Sequence, residues 1–259
     1  MSTQRWDRAA ALPVPVDGRR RAEVAVLPPG HPDVASLFTF MRDAELRLLT
    51  IRMRIEDTTV GAGGPHLVVI DTALRHPGEA KVTRTVPNDG GAADYDIWIS
   101  DGSTVRTYAA RHRLGTDRPV RRSIVGLEDP DLPATSKVYR PVTPLPMDTA
   151  PETFIHPAGY CQNVLATGCC WVSGTSEVAG REAIVLECDH PRTIEIAADR
   201  PDHHVQLSVD RDTGIVLRLV ETIGGATTRD AIVTSLLPDA PLPPSALDFT
   251  FPAGTTLLY

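Results

Sequence analysis

The residues of this chain with the clearest chemical potential are histidines, cysteines and carboxylates that lie close together in its second half. Imidazole, thiolate and carboxylate groups bind zinc, and the same groups transfer protons in catalysis. The sequence has no CxxC pair and no HExxH motif, and neighbouring residues on a strand point to opposite faces, so at most alternate members converge. The pattern favours a polar turn between strands, without a metal ligand, over a metal- or thiol-dependent enzyme near Cys188 and His203. The group consists of Cys188, Asp189, His190, Asp202, His203 and His204.

The four cysteines of the chain, Cys161, Cys169, Cys170 and Cys188, occupy one short window. In a reducing compartment the default is free, mostly buried thiols that pack as small hydrophobic groups. A redox or disulfide element built on Cys169, Cys170 and Cys161 is the alternative. Catalysis by a cysteine needs a thiol of low pKa and a base within reach, and spacing alone indicates neither.

Other catalytic motifs are missing from the sequence, whereas one basic cluster is present. Ser123 and Ser173 lie in no G-x-S-x-G turn, and no P-loop or G-x-G-x-x-G follows a strand. We therefore predict neither a catalytic residue nor a cofactor. The basic cluster predicts either a solvated rim or a site for an anionic head group or an acidic partner. Its residues are Arg111, Arg113, Arg118, Arg121 and Arg122.

The composition indicates which elements would position these residues. Of the 259 residues, 42% are hydrophobic and 5% aromatic, with 19 glycines and 23 prolines, which favours one large domain with many strands and turns. A net charge of −7 with scattered basic residues argues against a nucleic-acid partner. Residues 1–26 lack the apolar stretch of a signal peptide, and no run of about 18 apolar residues occurs. The expectation is a cytoplasmic protein without a transmembrane segment, with export as the open alternative.

The chain divides into a flexible N-terminal arm, residues 1–33, and a single domain, residues 34–259. Within the domain, Asp33 is placed to cap one amphipathic helix whose apolar positions recur at helical spacing as far as Leu48. The seven prolines from Pro119 to Pro151 predict a loop, a lid or a boundary in the middle of the domain.

Strand alternation and turn signals indicate the rest of the fold. Five strands are predicted between Ile51 and Ala110, and five more between Cys170 and Leu236. The predicted fold class is therefore mainly β, with a few helices and a large curved antiparallel sheet of about ten strands covered by helix and loop.

The same alternation marks apolar side chains for a ligand site. Ile51, Met53 and Ile55 share one face of their strand, while Arg52 and Arg54 share the other. The pattern leaves open whether the lid leaves a cavity over this face or fills it. The predicted ligand-binding residues are Phe40, Ile51, Met53, Ile55, Val69, Ile97, Ile99, Leu207, Leu217 and Leu219. The predicted rim consists of Arg111, Arg113, Arg121 and Arg122.

Short motifs along the domain resemble the outer-membrane lipoprotein carrier (LolA-like) superfamily, which includes the regulator RseB. They begin with an opening helix and end with a closing segment rich in proline and phenylalanine. In order they are Phe38–Ala44, His76–Gly78 with Lys81–Arg84, Ser100–Gly102 with Val105 and Tyr108, Val178–Ala183, Val209–Gly214, Leu242–Ser245 and Phe249–Gly254. The resemblance implies an unclosed half-barrel with a helical lid, acyl chains held in its apolar concavity and no catalytic residue. The chain departs from the family in having no recognisable signal peptide.

Two principal hypotheses follow. In the first, the protein is a non-catalytic carrier whose partner is a lipid or another hydrophobic molecule. In the second, a protein-interaction or regulatory module of the RseB type, the sheet or its edge binds a polypeptide.

Overall fold

The computed structural model describes residues 25–87, 94–120, 143–147, 149–192 and 200–258. The helices of these ranges are α1 (Val34–Arg42), α2 (Ala150–Ile155) and α3 (Ala158–Asn163). The first strands are β1 (Thr50–Gly61), β2 (Gly64–Arg75), β3 (Glu79–Val86), β4 (Asp94–Asp101), β5 (Thr104–Ala109) and β6 (Leu114–Pro119). The later strands are β7 (Cys169–Val178), β8 (Arg181–Asp189), β9 (His203–Asp210), β10 (Val216–Ile223), β11 (Ala226–Pro238) and β12 (Thr256–Leu258).

All strands of the described ranges belong to one 12-stranded sheet, in the order β12-β6-β5-β4-β3-β2-β1-β11-β10-β9-β8-β7. Neighbouring strands are antiparallel except β12, which runs parallel to β6. The two meanders join where β1 pairs with β11, from Ile51 opposite Pro238 to Thr59 opposite Arg229. The sheet is curved and does not close, because its edge strands β12 and β7 are not neighbours. The mainly β fold class is thus confirmed.

Three α-helices of the described chain pack on one face of the sheet, here called the helix face. Met41 of α1 and Phe154 of α2 share a single hydrophobic core with strand residues such as Ile55, Ile70 and Leu207. Because side chains alternate along a strand, the residues between these positions point to the opposite, outer face. The helices contact mainly β1, β7 and β10, so they cover only part of the helix face.

The segment after β11 covers part of the outer face. Lys81 Nζ donates to the carbonyl oxygen of Asp248 over 2.8 Å, and an Arg106 Nη donates to that of Phe249 over 2.9 Å. Tyr108 packs against the ring of Phe249, with ring centroids 5.8 Å apart. On the outer face of β4, Ile99 is therefore buried, whereas Trp98 on the helix face is partly buried against the core. Apolar side chains thus face both sides of this strand, as its alternation of aromatic and aliphatic residues predicts.

The predicted first helix is shorter than its apolar pattern. Asp33 caps α1 as expected, since its Oδ1 accepts the Ser36 N–H over 2.8 Å. The α-helix ends at Arg42, and residues 44–47 form a 3-10 turn instead. Arg47 in this turn lies 3.9 Å from the Phe40 ring centroid and donates to the Phe40 carbonyl oxygen over 2.8 Å, which holds the turn against the helix.

Two predicted segments lie partly outside the described residues. Residues 1–24 of the predicted arm are not described, whereas its last part contacts the domain: Arg211 donates to the carbonyl oxygens of Pro28 and Gly30. Residues 121–142, most of the predicted lid, also lie outside the described ranges. No helix in the part of the chain that the structure describes is long and apolar enough to cross a membrane.

Candidate functional site

A cavity of about 400 Å³ lies on the helix face of β3 to β6, where the helices do not cover the sheet. Pro146 and Thr149, from the segment that leads into α2, form the wall opposite the sheet, and Leu258 of β12 also lines the space. The strand residues that point into it are Val82, Arg84, Asp96, Trp98, Thr107, Ala109, Leu114 and Thr116. Most of the surface that lines the cavity is apolar. A cavity of this size falls within the range of small-molecule sites.

The polar groups of the cavity either satisfy each other or lie at its open end. Thr107 Oγ1 and Thr116 Oγ1 are 2.7 Å apart and hydrogen bond to each other, so these two side chains add little free polarity to the wall. Arg84 and Asp96 form a long ion pair of 3.8 Å, and about half of each side chain is exposed (49% and 55%). The charged end of the cavity therefore opens to solvent.

Part of the predicted arginine rim lies beside this cavity. Arg111 and Arg113 occupy the turn between β5 and β6, and the residues that flank this turn, Ala109 and Leu114, line the cavity. Both arginines are exposed. Arg121 and Arg122 lie outside the described residues, so their part of the rim stays a prediction.

A buried polar cluster anchors the wall opposite the sheet. Thr143 is fully buried, and its Oγ1 accepts the Gly78 N–H over 2.7 Å and lies 2.7 Å from His76 Nδ1. The Thr143 carbonyl oxygen lies 2.8 Å from His156 Nε2, which donates to it. These bonds fix the start of the segment whose next residues include Pro146, a lining residue. The cluster therefore positions one wall of the cavity.

Both histidines of this cluster are held in the neutral form. Burial, and to a smaller extent the charge of His156, lowers the pKa of His76 to about 3. Burial likewise lowers the pKa of His156 to about 4, although its hydrogen bond to Thr143 opposes the shift. Glu45 Oε2 lies 3.4 Å from His156 Nδ1, which is long for a hydrogen bond. Neutral rings fit the bonding pattern. The Thr143 carbonyl oxygen accepts the N–H of His156 Nε2, and the Thr143 hydroxyl, which already accepts the Gly78 N–H, donates to the unprotonated Nδ1 of His76.

The structure separates the predicted ligand-binding residues into two groups. Ile51, Met53 and Ile55 point to the helix face, and Leu207, Leu217 and Leu219 join the same core; none of these six lines the cavity. Phe40 is also buried, beneath Arg47. Val69, Ile97 and Ile99 pair with Thr85, Tyr108 and Arg106 on the outer face, so the prediction of one shared face was wrong. Ile97 alone among the ten residues borders the cavity.

Sequence reasoning missed the residues that do line the cavity. Val82 and Trp98 occupy alternate positions of strands that it correctly identified, but alternation does not indicate which face of β4 meets the helices. The buried cluster was missed because His76 and His156 are distant in sequence and match no motif. The one sequence signal near this cluster was the His76-Pro77-Gly78 turn. Gly78 has a φ of 87°, which favours glycine and marks a tight turn next to His76.

The cysteine and histidine constellation does not converge. Cys188 and His203 are buried toward the helix face, whereas His204 on the outer face lies 2.7 Å from Asp189 Oδ1 and 2.8 Å from Glu187 Oε2. Burial lowers the pKa of His204, but the bonds to the two carboxylates outweigh it and raise that pKa. Among the described residues, no group of three or more His, Cys, Asp or Glu is arranged to hold a metal ion.

Comparisons with known proteins add a similarity of architecture. No protein-family model matches the sequence, and a comparison with curated proteins gives no match. Among solved structures, MucB aligns with 83% of this chain at 18% identity and a TM-score of 0.47. This chain covers 62% of the MucB chain, about three fifths of its length.

Two further solved structures are similar over nearly their whole length. LprF from Mycobacterium bovis aligns with 86% of this chain and 99% of its own, at 11% identity and a TM-score of 0.40. A LolA superfamily protein from Nitrosomonas europaea aligns with 84% and 98% respectively, at 10% identity and a TM-score of 0.34.

Proposed function

We propose that this protein binds a hydrophobic molecule, an acyl chain or a compact apolar compound, in the cavity between β3 to β6 and the segment at Pro146. The observation that supports the proposal is a mostly apolar space of about 400 Å³ that opens beside charged side chains. The protein acts as a carrier or binding protein in this proposal, without a catalytic step.

The size of the cavity sets the expected affinity. If a methylene group takes up about the 30 Å³ of a water molecule in the liquid, the cavity holds roughly ten of them. At about 0.8 kcal/mol for each buried methylene, the gross gain is about 8 kcal/mol. Association itself costs at least about 4 kcal/mol. The net value corresponds to a dissociation constant near 1 mM for the chain alone, so further contacts outside the cavity or at the rim are needed for tighter binding.

The rim gives the ligand a preferred orientation in this proposal. Arg84 lines the open end, and Arg111 and Arg113 lie in the adjoining turn, so an anionic head group has cationic partners there while its chain enters the apolar interior. Asp96, paired with Arg84 at 3.8 Å, opposes an anion. A fatty acid should therefore bind more tightly than its methyl ester, and Asp96→Asn should increase this difference.

The test uses native mass spectrometry and titration with a fluorescent fatty-acid probe. Protein incubated with an excess of fatty acid should show an added mass under gentle conditions that extracts into organic solvent, and the probe should be displaced by unlabelled fatty acid. Ala109→Trp fills the cavity and should weaken probe binding at least tenfold. Ala73→Trp is the matched control, because Ala73 lines a groove of similar volume, about 400 Å³, between the outer face and residues 245–246. Equal probe binding by both folded variants would refute the proposal.

A protein-interaction function is the second candidate, and the edge strand β7 favours it. Within the described residues β7 pairs only with β8, and Trp171 on this strand is 39% exposed. An unpaired strand edge is a template to which an extended peptide adds as a further strand. A protein that stays free of any small molecule, even after incubation with lipids, would favour this candidate.

A further inference from the structure

Two cysteines face each other across the edge of the sheet. Cys170 of β7 is the direct antiparallel partner of Cys188 of β8. Directly opposed residues in an antiparallel pair have Cα atoms about 4.5 to 5.5 Å apart, and disulfides span Cα separations of about 4.4 to 6.8 Å. The backbone therefore already has the spacing that a disulfide between the two residues requires.

The two thiols also converge in space. Cys170 Sγ and Cys188 Sγ lie 3.2 and 3.6 Å from the same carbonyl oxygen, that of Leu165, and the two thiols are close enough for Cys188 to donate its proton to Cys170. Gly168 leaves room for this arrangement, because a Cβ at that position would come within 2.6 Å of Cys188 Sγ. Both sulfur atoms thus lie on the same side of the sheet, within reach of one another.

The surroundings give the two thiols different reactivity. The hydrogen bond from Cys188 lowers the pKa of Cys170, and the same bond together with burial raises the pKa of Cys188. Cys170 is partly exposed, whereas Cys188 is fully buried. Since the thiolate is the attacking species in thiol–disulfide exchange, Cys170 is the thiol suited to meet an outside disulfide.

The other two cysteines are poor partners for this pair. Burial raises the pKa of Cys161 to about 12, and its Sγ contacts Met41 Sδ over 3.8 Å. Cys169 pairs with Asp189 in the strand register, so its side chain points to the outer face, away from Cys170 and Cys188.

We propose that Cys170 and Cys188 are a disulfide-forming site that is oxidised by exchange with a small-molecule or protein disulfide. The Cys170 thiolate attacks one sulfur of the incoming disulfide, which forms a mixed disulfide and releases the first thiolate. Cys188 then loses its proton, attacks Cys170 Sγ and expels the second thiolate. Two protein thiols are oxidised, and one disulfide is reduced to two thiols.

This bond would join the edge strand β7 to β8 covalently, beside the 3-10 turn at Leu165. It lies away from the cavity on β3 to β6, so it does not depend on the proposed ligand. The edge strand would then be held in its pairing even when the neighbouring backbone opens.

The test starts from a Cys169→Ser protein, which removes the exposed thiol, and uses oxidised glutathione as the probe. Intact mass should fall by two hydrogen atoms, and two of three thiols should become unreactive to a thiol reagent after denaturation. Trypsin cleaves after Arg181, so Cys188 leaves on a different peptide from Cys161 and Cys170, and the linked pair should be found by mass spectrometry and lost on reduction.

Further variants in the Cys169→Ser background identify the residues. Adding Cys161→Ser should leave the loss of two thiols unchanged. Adding Cys188→Ala should trap glutathione on Cys170 as a stable mixed disulfide, and adding Cys170→Ser should abolish both products. Circular dichroism of each variant checks that the fold is intact. The proposal is overturned if the folded Cys169→Ser protein keeps all three thiols in excess oxidised glutathione, or if the new bond involves Cys161.

Discussion

His76 and His156, the two histidines bonded to Thr143, make the stability of the protein depend on pH in a window that the structure defines. In the unfolded chain each histidine binds a proton near pH 6.5, its ordinary pKa, whereas in the folded protein His76 does so near pH 3 and His156 near pH 4. Between these values the unfolded state binds more protons, so the free energy of unfolding falls as the pH is lowered from 6.5. This part of the stability is complete above pH 6.5.

The magnitude follows from proton linkage. One proton taken up only by the unfolded state changes the free energy of unfolding by about 1.4 kcal/mol per pH unit. Two histidines over the interval from pH 6.5 to 5 therefore cost at most about 4 kcal/mol. Glu45, 3.4 Å from His156 Nδ1, offers the protonated ring a partner and reduces the share of His156. We expect a loss of about 2 to 4 kcal/mol, a large part of the stability of a typical domain.

The assay is urea unfolding at several pH values between 8 and 5. His76→Asn keeps an acceptor near the position of Nδ1, and His156→Gln keeps a donor near Nε2, so both variants retain a bond to Thr143 but cannot titrate. Each variant should lose stability less steeply than the wild type as the pH falls from 6.5, and the double variant should show almost no slope between pH 6.5 and 5. His66→Gln is the control, because His66 is exposed. A double variant with the wild-type slope would refute the reasoning.

Other titratable groups change the stability only outside the interval from pH 6.5 to 5. The pKa values of Asp33 and Asp101 are lowered, chiefly by hydrogen bonds from the backbone of Ser36 and Thr104 respectively, so their contribution is lost only at lower pH. The pKa of His204 is raised by its two carboxylate partners, and its contribution is present below pH 6.5 and lost as the pH rises through the folded pKa. The interval from pH 6.5 to 5 therefore isolates the buried pair.

Three further substitutions test other parts of the structure. Asp33→Ala removes the cap of α1 and should lower the free energy of unfolding by about 1 kcal/mol in urea titrations, with little change in fatty-acid probe binding. Gly78→Ala should destabilise the protein by about 1 to 3 kcal/mol, because its Cβ would lie 2.9 Å from Gly102 Cα; thermal unfolding should show a smaller loss for Gly102→Ala, whose nearest contact is 3.6 Å. Asp57→Ala removes the bidentate partner of the partly buried Arg229, which keeps Glu221 at 3.8 Å, and should cost about 1.5 to 3 kcal/mol, measured by the same unfolding assay.

The sequence predicted the fold better than the site, for physical reasons. Long alternating segments such as Ile51 to Ile55 identified strands, because one buried face imposes a period of two on the residues. The strand β6 was missed, since its sequence Leu114–Pro119 is mostly polar and ends in proline, and β12 was missed because it has only three residues. Neither strand carries enough alternating positions to be recognised.

The cavity could not be located from the same pattern. Alternation assigns Val69, Ile97 and Ile99 to one face and their neighbours to the other, but β4 has apolar side chains on both faces. Ile99 is buried on the outer face, and Trp98 packs partly against the core on the helix face. Which side retains a cavity depends on how far the helices extend over the sheet. The extent of this cover depends on how distant segments pack together. The local alternation of residues along a strand carries no information about such packing.

The pairing of β1 with β11 has a consequence for how the chain acquires its structure. These strands lie at the centre of the sheet, yet Ile51 meets Pro238, which follows it almost at the far end of the domain. Contacts of such long range slow folding, because the loop between them must be ordered before they form. During synthesis the first meander, β1 to β6, emerges early and exposes the open side of β1 until β11 leaves the ribosome. During this interval the unpaired strand β1 favours association of the newly made first half with other chains. The protein should therefore fold more slowly, and need more protection from aggregation, than its regular meanders suggest.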